Sequence, residues 1–210
     1  MTRIKICGIK ALPDALAAVE AGADMLGFNF HPGSVRCIDT ESCARIAATL
    51  RREHPYVQLV GVFVNASSDE IFQTLRNCSL DLAQLSGDEA PEACAAMSGV
   101  AFKAFHGVPN GSVARYARSV APAFLLDGHA AGAYGGTGAT ADWSTAAGLS
   151  KAYPILLAGG LRPQNVAQAI ETVHPWGVDV ASGVESRPGI KDAVKVRAFV
   201  EAVRFAEVTE

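Results

Sequence analysis

The chain has 210 residues, of which 50% are hydrophobic and only 7% aromatic, and its formal net charge is −3. A chain of this length can bury a core without metals or disulfides, and here the core must consist mainly of Ala, Val, Leu and Ile. That composition suits a layered α/β protein. Its charges are spread along the chain without a basic stripe, which argues against nucleic acid or an anionic membrane as a partner.

The cysteines and the first residues indicate the compartment. The sequence MTRIKICG has too short an apolar run for a signal peptide, and no segment is long enough to span a bilayer. The five cysteines form no CxxC pair, which predicts neither a zinc site nor a disulfide framework; they are Cys7, Cys37, Cys43, Cys78 and Cys94. We therefore expect a soluble protein of the reducing cytoplasm.

Eight short apolar runs are predicted to be β-strands. In chain order they cover residues 3–8, 25–30, 58–64, 80–85, 101–105, 123–127, 154–158 and 178–182. Apolar residues occupy both alternate sets of positions in these runs, which is typical of strands that are covered on both faces.

The intervals between these strands carry helix signals. Pro13 opens an apolar stripe at helical spacing that Gly22 ends, and Ser67 with Glu70 has the spacing of a capping box. Pro163 precedes a similar stripe in the seventh interval.

Strict alternation of strands and helices predicts parallel strands joined by crossovers. Eight such units close most simply into a (β/α)₈ barrel, here a single domain over residues 1–210. An open doubly wound sheet is the alternative, but the GxGxxG turn typical of it is missing after the first strand.

The loops after strands seven and eight are candidate phosphate-binding elements, because barrel active sites lie at the C-terminal ends of the strands. LAGGL ends strand seven and ASGVE ends strand eight, and both bring small residues to places where backbone N–H groups can approach a ligand. We expect Gly159, Gly160, Ser182 and Gly183 to bind a phosphate. Glycines that merely form tight turns are the alternative.

The long loop after strand six is rich in glycine and has the sequence GHAAGAYGGTGATADWS. Loops of this length in compact domains are commonly lids or disordered excursions. The GGTG segment, with Gly136 and Gly138, is a candidate cover for a bound phosphosugar, with flexible filler as the alternative.

Asp127 directly follows the apolar run of strand six and shares a strand face with Leu125. Such a carboxylate can simply solvate the next turn. If it leans into a partly dry barrel mouth, its pKa should rise, which suits a general acid.

Cys7 ends the first apolar run, IKICGI. Alternation places Ile4 and Ile6 towards the helix layer, so that Lys5 and Cys7 point into the barrel. The cation of Lys5 would favour the thiolate form of Cys7. A buried cysteine that serves only as a small apolar residue is the alternative.

Strands one and six lie three steps apart around a ring of eight, so Cys7 and Asp127 would face each other across the barrel mouth. A base, an acid and an anion site together predict proton transfers on a small phosphorylated substrate. The histidines show no metal-ligand spacing, so no metal site is expected. Those predicted on the catalytic side remain rival acids or bases: His31, His106 and His129.

A series of motifs extends over essentially the whole chain. In order they are KICGI, GFNF followed by Ser34 and Arg36, VGVFVN, AQLSG, LLDG, GGTG, DWS, LAGGLRPQNV and DVASGVESRPGIKD. Through them the chain resembles the phosphoribosylanthranilate isomerases of tryptophan biosynthesis.

The resemblance implies a cofactor-free Amadori rearrangement of an aminoaldose to an aminoketose. By the same resemblance, Asp127 would be the general acid on the furanose ring oxygen, and Cys7 would remove the proton from the sugar C2. Arg36 would hold the anthranilate carboxylate, a role that a planar bidentate cation fits.

The chain departs from the family at Ser86, where a histidine is common, and we expect altered substrate affinity rather than lost activity. His31 replaces what is often an aromatic residue. Other readings are another phosphosugar isomerase that uses a histidine, or a non-catalytic phosphosugar-binding barrel. The sequence leaves monomer and homodimer open.

Overall fold

Eight parallel strands form a closed barrel in chain order, with β8 paired to β1. The structure, a computed structural model, describes residues 1–97, 99–107, 113–118, 120–127 and 143–208. The strands are β1 (Arg3–Cys7), β2 (Met25–Asn29), β3 (Gln58–Phe63), β4 (Leu82–Leu85), β5 (Ala101–His106), β6 (Phe124–Asp127), β7 (Ile155–Leu157) and β8 (Gly177–Val180). The predicted (β/α)₈ barrel is thus confirmed, and a doubly wound sheet is excluded.

Helices surround the barrel. In the described residues they are α1 (Leu12–Ala21), α2 (Thr40–Glu53), α3 (Ser68–Asn77), α4 (Pro91–Ala96), α5 (Trp143–Ser150), α6 (Val166–Val173) and α7 (Ala193–Val208). Between β5 and β6, these residues hold only a short 3₁₀ turn, Val113–Arg115. No described helix has both the length and the apolar character needed to cross a membrane.

The predicted helix ends are confirmed in local detail. Ser67 accepts a hydrogen bond from the Glu70 backbone, and the Glu70 side chain accepts one from the Ser67 backbone, which completes the capping box. Gly22 ends α1 with a φ of 106°, a left-handed conformation that glycine adopts without strain.

The two faces of β1 meet different surroundings, as the alternation predicts. Ile4 and Ile6 belong to the apolar layer between sheet and helices. Lys5 and Cys7 face the barrel interior, where Lys5 is fully buried. The interior also holds an apolar cluster built from the six strands β2 to β7 and the residue that follows β7; its members are Met25, Val60, Leu82, Phe102, Ala104, Leu125, Leu156 and Ala158.

A short antiparallel hairpin after β8 is absent from the predicted elements. It consists of β9 (Glu185–Arg187) and β10 (Ile190–Lys191). Strands of two or three residues are too short for an alternating pattern to reveal them. Gly189 turns the hairpin with a φ of 81°, and a Cβ there would lie 2.9 Å from the carbonyl oxygen of Val35. The hairpin therefore packs closely against the loop that follows β2.

Candidate functional site

A pocket opens at the C-terminal ends of the strands and contains the two predicted catalytic residues. It encloses about 570 Å³ of space, a figure that includes its opening to solvent. Cys7 enters it from the end of β1 and Asp127 from the end of β6, and Arg36 lines it from the loop after β2. Strand ends that are far apart in sequence thus bring a thiol, a carboxyl group and a guanidinium to one cavity.

Burial dominates the protonation of Cys7. Loss of solvent raises the pKa of the thiol above its ordinary value, although the cations of Lys5 and Lys191 act to lower it. The prediction that Lys5 favours the thiolate is therefore right in sign, but burial outweighs it. Gly27 on the neighbouring strand makes room for the sulfur, since a Cβ there would lie 2.7 Å from Cys7 Sγ.

Beneath Cys7 lies a buried polar layer that crosses the barrel. Lys5 Nζ donates hydrogen bonds to Asp179 Oδ1 at 2.7 Å and to Gln84 Oε1 at 3.0 Å. Gln84 Nε2 in turn donates to Ser86 Oγ at 3.0 Å. Burial alone would lower the pKa of Lys5, but the charges of Asp179 and Cys7 raise it on balance, so Lys5 stays a cation.

Asp127 has the properties of a carboxylic acid at neutral pH. Burial raises its pKa to about 7, and the negative charge of Asp179 adds to the rise while Lys5 opposes it. The predicted rise in pKa is thus confirmed. His106, its register neighbour on β5, places Nδ1 3.8 Å from Asp127 Oδ2. His106 Nε2 lies 3.0 Å from the carbonyl oxygen of Ser86, so this nitrogen carries the proton.

Arg36 is held from one side. Its Nε and Nη2 donate to the two carboxylate oxygens of Glu185 at 2.7 and 2.8 Å. This bidentate pairing raises the pKa of Arg36 and fixes the plane of the guanidinium. The outer edge, Nη1 and the second N–H of Nη2, has no hydrogen-bond partner within the described ranges and can receive a second carboxylate.

The loops after β7 and β8 form a smaller pocket beside the first. Gly159, Gly160 and Ser182 line it together with Asp127 and Asp179, and both glycines have positive φ angles of 90° and 62°. Backbone groups from the two loops therefore converge next to the carboxyl group of Asp127, as predicted for an anion site.

Gly183 is not among the residues that line this pocket, and it packs against the preceding loop. A Cβ at Gly183 would overlap the carbonyl oxygen of Leu161. Gly183 thus joins the two loops, and its contact with a phosphate stays a prediction. Gly136, Gly138 and His129 lie outside the described residues.

We expect Gly183→Ala to distort both loops, since the added carbon meets backbone rather than a movable side chain. Overpacking of this kind costs about 1–3 kcal/mol of unfolding free energy. Urea unfolding, together with KM for the phosphorylated substrate, measures the two effects. Gly148→Ala in α5, where the new carbon meets no atom within 4 Å beyond its chain neighbours and the backbone of its own helix, is the matched control. Unchanged stability and KM in Gly183→Ala would contradict the packing role.

Several functional residues escape the sequence reasoning. Asp179 and Gln84 bond to Lys5, Glu185 bonds to Arg36, and Lys191 bonds to Glu185. The sequence does contain a signal for Asp179. It is a charged residue within the apolar run of β8, at a position whose side chain points into the barrel. Ser86 and His31 line the main pocket, and their effect on affinity stays a prediction. Among the described residues, no cluster of His, Cys, Asp or Glu is arranged to hold a metal ion.

Comparisons with known proteins agree with this geometry. Residues 4–202 match the family model described as N-(5'phosphoribosyl)anthranilate (PRA) isomerase. A curated relative of that name from Geobacter metallireducens is 48% identical over 204 residues, which cover 97% of this chain and 100% of the relative.

Solved structures of the same kind also superimpose on the chain. The phosphoribosyl anthranilate isomerase of Thermotoga maritima is 37% identical, with a TM-score of 0.85 and coverage of 98% of this chain and 100% of the other. A second solved structure, of a phosphoribosyl anthranilate isomerase in complex with reduced 1-(o-carboxyphenylamino)-1-deoxyribulose 5-phosphate, is 36% identical, with a TM-score of 0.81 and the same coverage. The chain belongs to the N-(5'-phosphoribosyl)anthranilate isomerase family.

Proposed function

We propose that the pocket at the barrel mouth isomerises N-(5'-phosphoribosyl)anthranilate to 1-(2-carboxyphenylamino)-1-deoxyribulose 5-phosphate, with Asp127 as the acid and Cys7 as the base. The reaction is an aldose–ketose isomerisation of tryptophan biosynthesis. The observation that carries the assignment is the meeting of a carboxyl group with a pKa of about 7 and a thiol in one cavity beside a glycine-lined anion site.

The first proton transfer opens the sugar ring. Protonated Asp127 donates its proton to the furanose ring oxygen, the C1–O bond breaks, and the anilino nitrogen becomes a protonated Schiff base. A carboxyl group with a pKa of about 7 holds this proton over much of the neutral range, whereas an exposed aspartate does not.

The second transfer removes the proton from C2. The Cys7 thiolate takes this proton, and the electron pair of the C–H bond moves towards the Schiff base to give an enolamine. The enolamine then loses the proton of its C2 hydroxyl and gains one at C1, which yields the ketone. Lys5 and Lys191 support the thiolate, because both cations act to lower the pKa of Cys7.

Two anchors hold the substrate between these groups. The outer edge of Arg36 would bind the anthranilate carboxylate, and the loops of Gly159, Gly160 and Ser182 would bind the phosphate. Gly183 would act by keeping these loops together. Gly136 and Gly138 remain expected contacts of the same ligand, on the strength of the family motif alone.

Turnover of the proposed substrate tests the function directly. The wild type is expected to consume phosphoribosylanthranilate, followed by the fluorescence of its anthranilate group, without added metal or cofactor. A wild type that does not turn this substrate over would refute the function.

We expect Arg36→Met to lower kcat/KM by roughly tenfold to a hundredfold, because a charged hydrogen-bond pair with the carboxylate is lost. Most of the loss should appear in KM. Arg45→Met, which removes an exposed arginine from α2, is the matched control and should leave the kinetics unchanged. Unaltered kinetics in Arg36→Met would remove Arg36 from the site.

The proposed partner is thus a small phosphoribosyl molecule, and every group assigned above comes from one chain. Monomer and homodimer therefore both accommodate the mechanism. We also propose a cytoplasmic location, which the five unpaired thiols support.

A further inference from the structure

Lys191 is a buried cation beside the site, and it neither donates nor accepts a proton in the proposed reaction. It ends β10, and its Nζ donates hydrogen bonds to Glu185 Oε1 at 3.1 Å and to the carbonyl oxygen of Ala181 at 3.0 Å. The carboxylate that it contacts is the one that holds Arg36. Two cations therefore share one buried anion.

The charges of this cluster decide what Arg36 can attract. Arg36 and Glu185 alone form a neutral pair, and a second carboxylate that approaches Arg36 would also approach the negative charge of Glu185. Because Glu185 is only 4% exposed, solvent screens that repulsion weakly. Lys191 contributes a second positive charge, so the three side chains together carry one net positive charge. Of these side chains, only Arg36 faces the pocket, and its outer edge therefore exposes this net charge to the substrate.

The hairpin formed by β9 and β10 fixes the relative positions of Arg36, Glu185 and Lys191. Glu185 begins β9 and Lys191 ends β10, so one turn of chain fixes both charges. Lys195 of α7 donates to the carbonyl oxygen of Glu185 at 2.8 Å, and the Lys191 backbone donates to Asp14 at 3.3 Å. The turn itself packs against Val35, next to Arg36 in the chain. The hairpin therefore sets the position of Arg36 from two sides.

We propose that Lys191 is a positioning residue for carboxylate recognition. Its positive charge offsets the negative charge of Glu185, so that the charge of Arg36 stays available for the aryl carboxylate of the substrate. The inference rests on the proposed role of Arg36. It predicts a defect that is selective for the carboxylate and independent of the phosphate and sugar contacts.

The test compares two ligands that differ by one group. Reduced 1-(o-carboxyphenylamino)-1-deoxyribulose 5-phosphate carries the carboxylate, and reduced 1-(phenylamino)-1-deoxyribulose 5-phosphate lacks it. Calorimetric titration of Lys191→Met should show roughly tenfold to hundredfold weaker binding of the first ligand and unchanged binding of the second. Lys191→Arg should retain the preference, and Lys151→Met is the control for loss of an exposed lysine.

A second variant separates charge balance from structural damage. In Lys191→Met/Glu185→Gln the cluster again carries one net positive charge, so affinity for the carboxylated ligand should recover at least tenfold over Lys191→Met. The double variant also leaves no buried carboxylate with a missing partner. A failure to recover, or an equal loss for both ligands in Lys191→Met, would overturn the inference.

Arg36→Met in the same titration keeps the two proposals distinguishable. If Arg36→Met discriminates the ligands as the wild type does, the role proposed for Arg36 is wrong. If Arg36→Met loses the preference while Lys191→Met keeps it, only the inference about Lys191 fails.

Discussion

Replacement of Cys7 by alanine or of Asp127 by asparagine is expected to lower kcat by roughly 10²–10⁴-fold, the usual contribution of a positioned acid or base. Both side chains line one pocket, and neither change introduces a larger side chain. KM should change far less than kcat, because the anchors for carboxylate and phosphate stay in place. Fluorescence of the anthranilate group under saturating substrate measures the loss.

Cys94→Ala is the control for removal of a buried thiol, since Cys94 lies in α4 within the outer layer. It should keep the wild-type kcat even where its stability falls. Full turnover by Cys7→Ala or by Asp127→Asn would remove that residue from the mechanism.

The pH dependence of kcat/KM also tests the assignment of Asp127 as the acid and Cys7 as the base. The active enzyme needs Asp127 protonated, with a pKa of about 7, and Cys7 ionised, with a pKa above the ordinary thiol value of 9.0. Below pH 7 the acid is present and the thiolate fraction grows with pH, so kcat/KM rises. Between the two pKa values the acid is lost as fast as the thiolate is gained, so the rate is flat. Above the pKa of Cys7 the rate falls.

Asp127→Asn should remove the inflection near pH 7. Its residual kcat/KM should keep rising towards the pKa of Cys7, because only the thiolate fraction still varies. A residual rate that levels off at the same pH as in the wild type would assign that inflection to another group.

Lys5→Met is expected to lower the unfolding free energy by about 3–5 kcal/mol, because it leaves Asp179 as a buried anion without its cation. The Lys5 side chain is 0% exposed and that of Asp179 is 10% exposed, so water replaces the lost contact only in part. Urea unfolding monitored by circular dichroism measures the loss. Lys151→Met, on the surface, should change stability by less than about 0.5 kcal/mol.

The double variant Lys5→Met/Asp179→Asn removes both charges and should recover at least half of the lost stability.

The inflection near pH 7, at the acidic limb of the kcat/KM profile, should also move in these variants. Since Lys5 lowers the pKa of Asp127 and Asp179 raises it, Lys5→Met shifts the limb to higher pH, whereas Asp179→Asn shifts it to lower pH. Equal stability of Lys5→Met and the wild type would contradict a buried ion pair.

The barrel and the positions of Cys7 and Asp127 at its mouth are predictable because they depend on short-range patterns. Apolar runs locate the eight strands, and alternation within β1 separates Ile4 and Ile6 from Lys5 and Cys7. Asp127 is visible as a charge at the end of an apolar run. These signals need only the periodicity of the chain and the rule that barrel sites lie at the strand ends.

The remaining contacts depend on pairings that periodicity does not encode. Glu185 meets Arg36 across 149 positions of sequence, and its hairpin is too short to show alternation. The close packing of Gly183 against Leu161 is not visible in the sequence either, because glycine serves close backbone contact as well as ligand approach. The direction of the shift in the Cys7 pKa also depends on the full structure, because burial raises this pKa while the cations of Lys5 and Lys191 lower it.

The buried pair of Lys5 and Asp179 has a consequence for how the chain folds. Lys5 finds its hydrogen-bond partners 79 and 174 positions away, on the fourth and the last barrel strand. A sheet of only the first seven strands lacks the counter-ion of this cation, and the eighth strand supplies it as it closes the barrel. We therefore expect the ion pair to favour the closed barrel over partial ones. It ties the first strand to the last at the point where the ring closes.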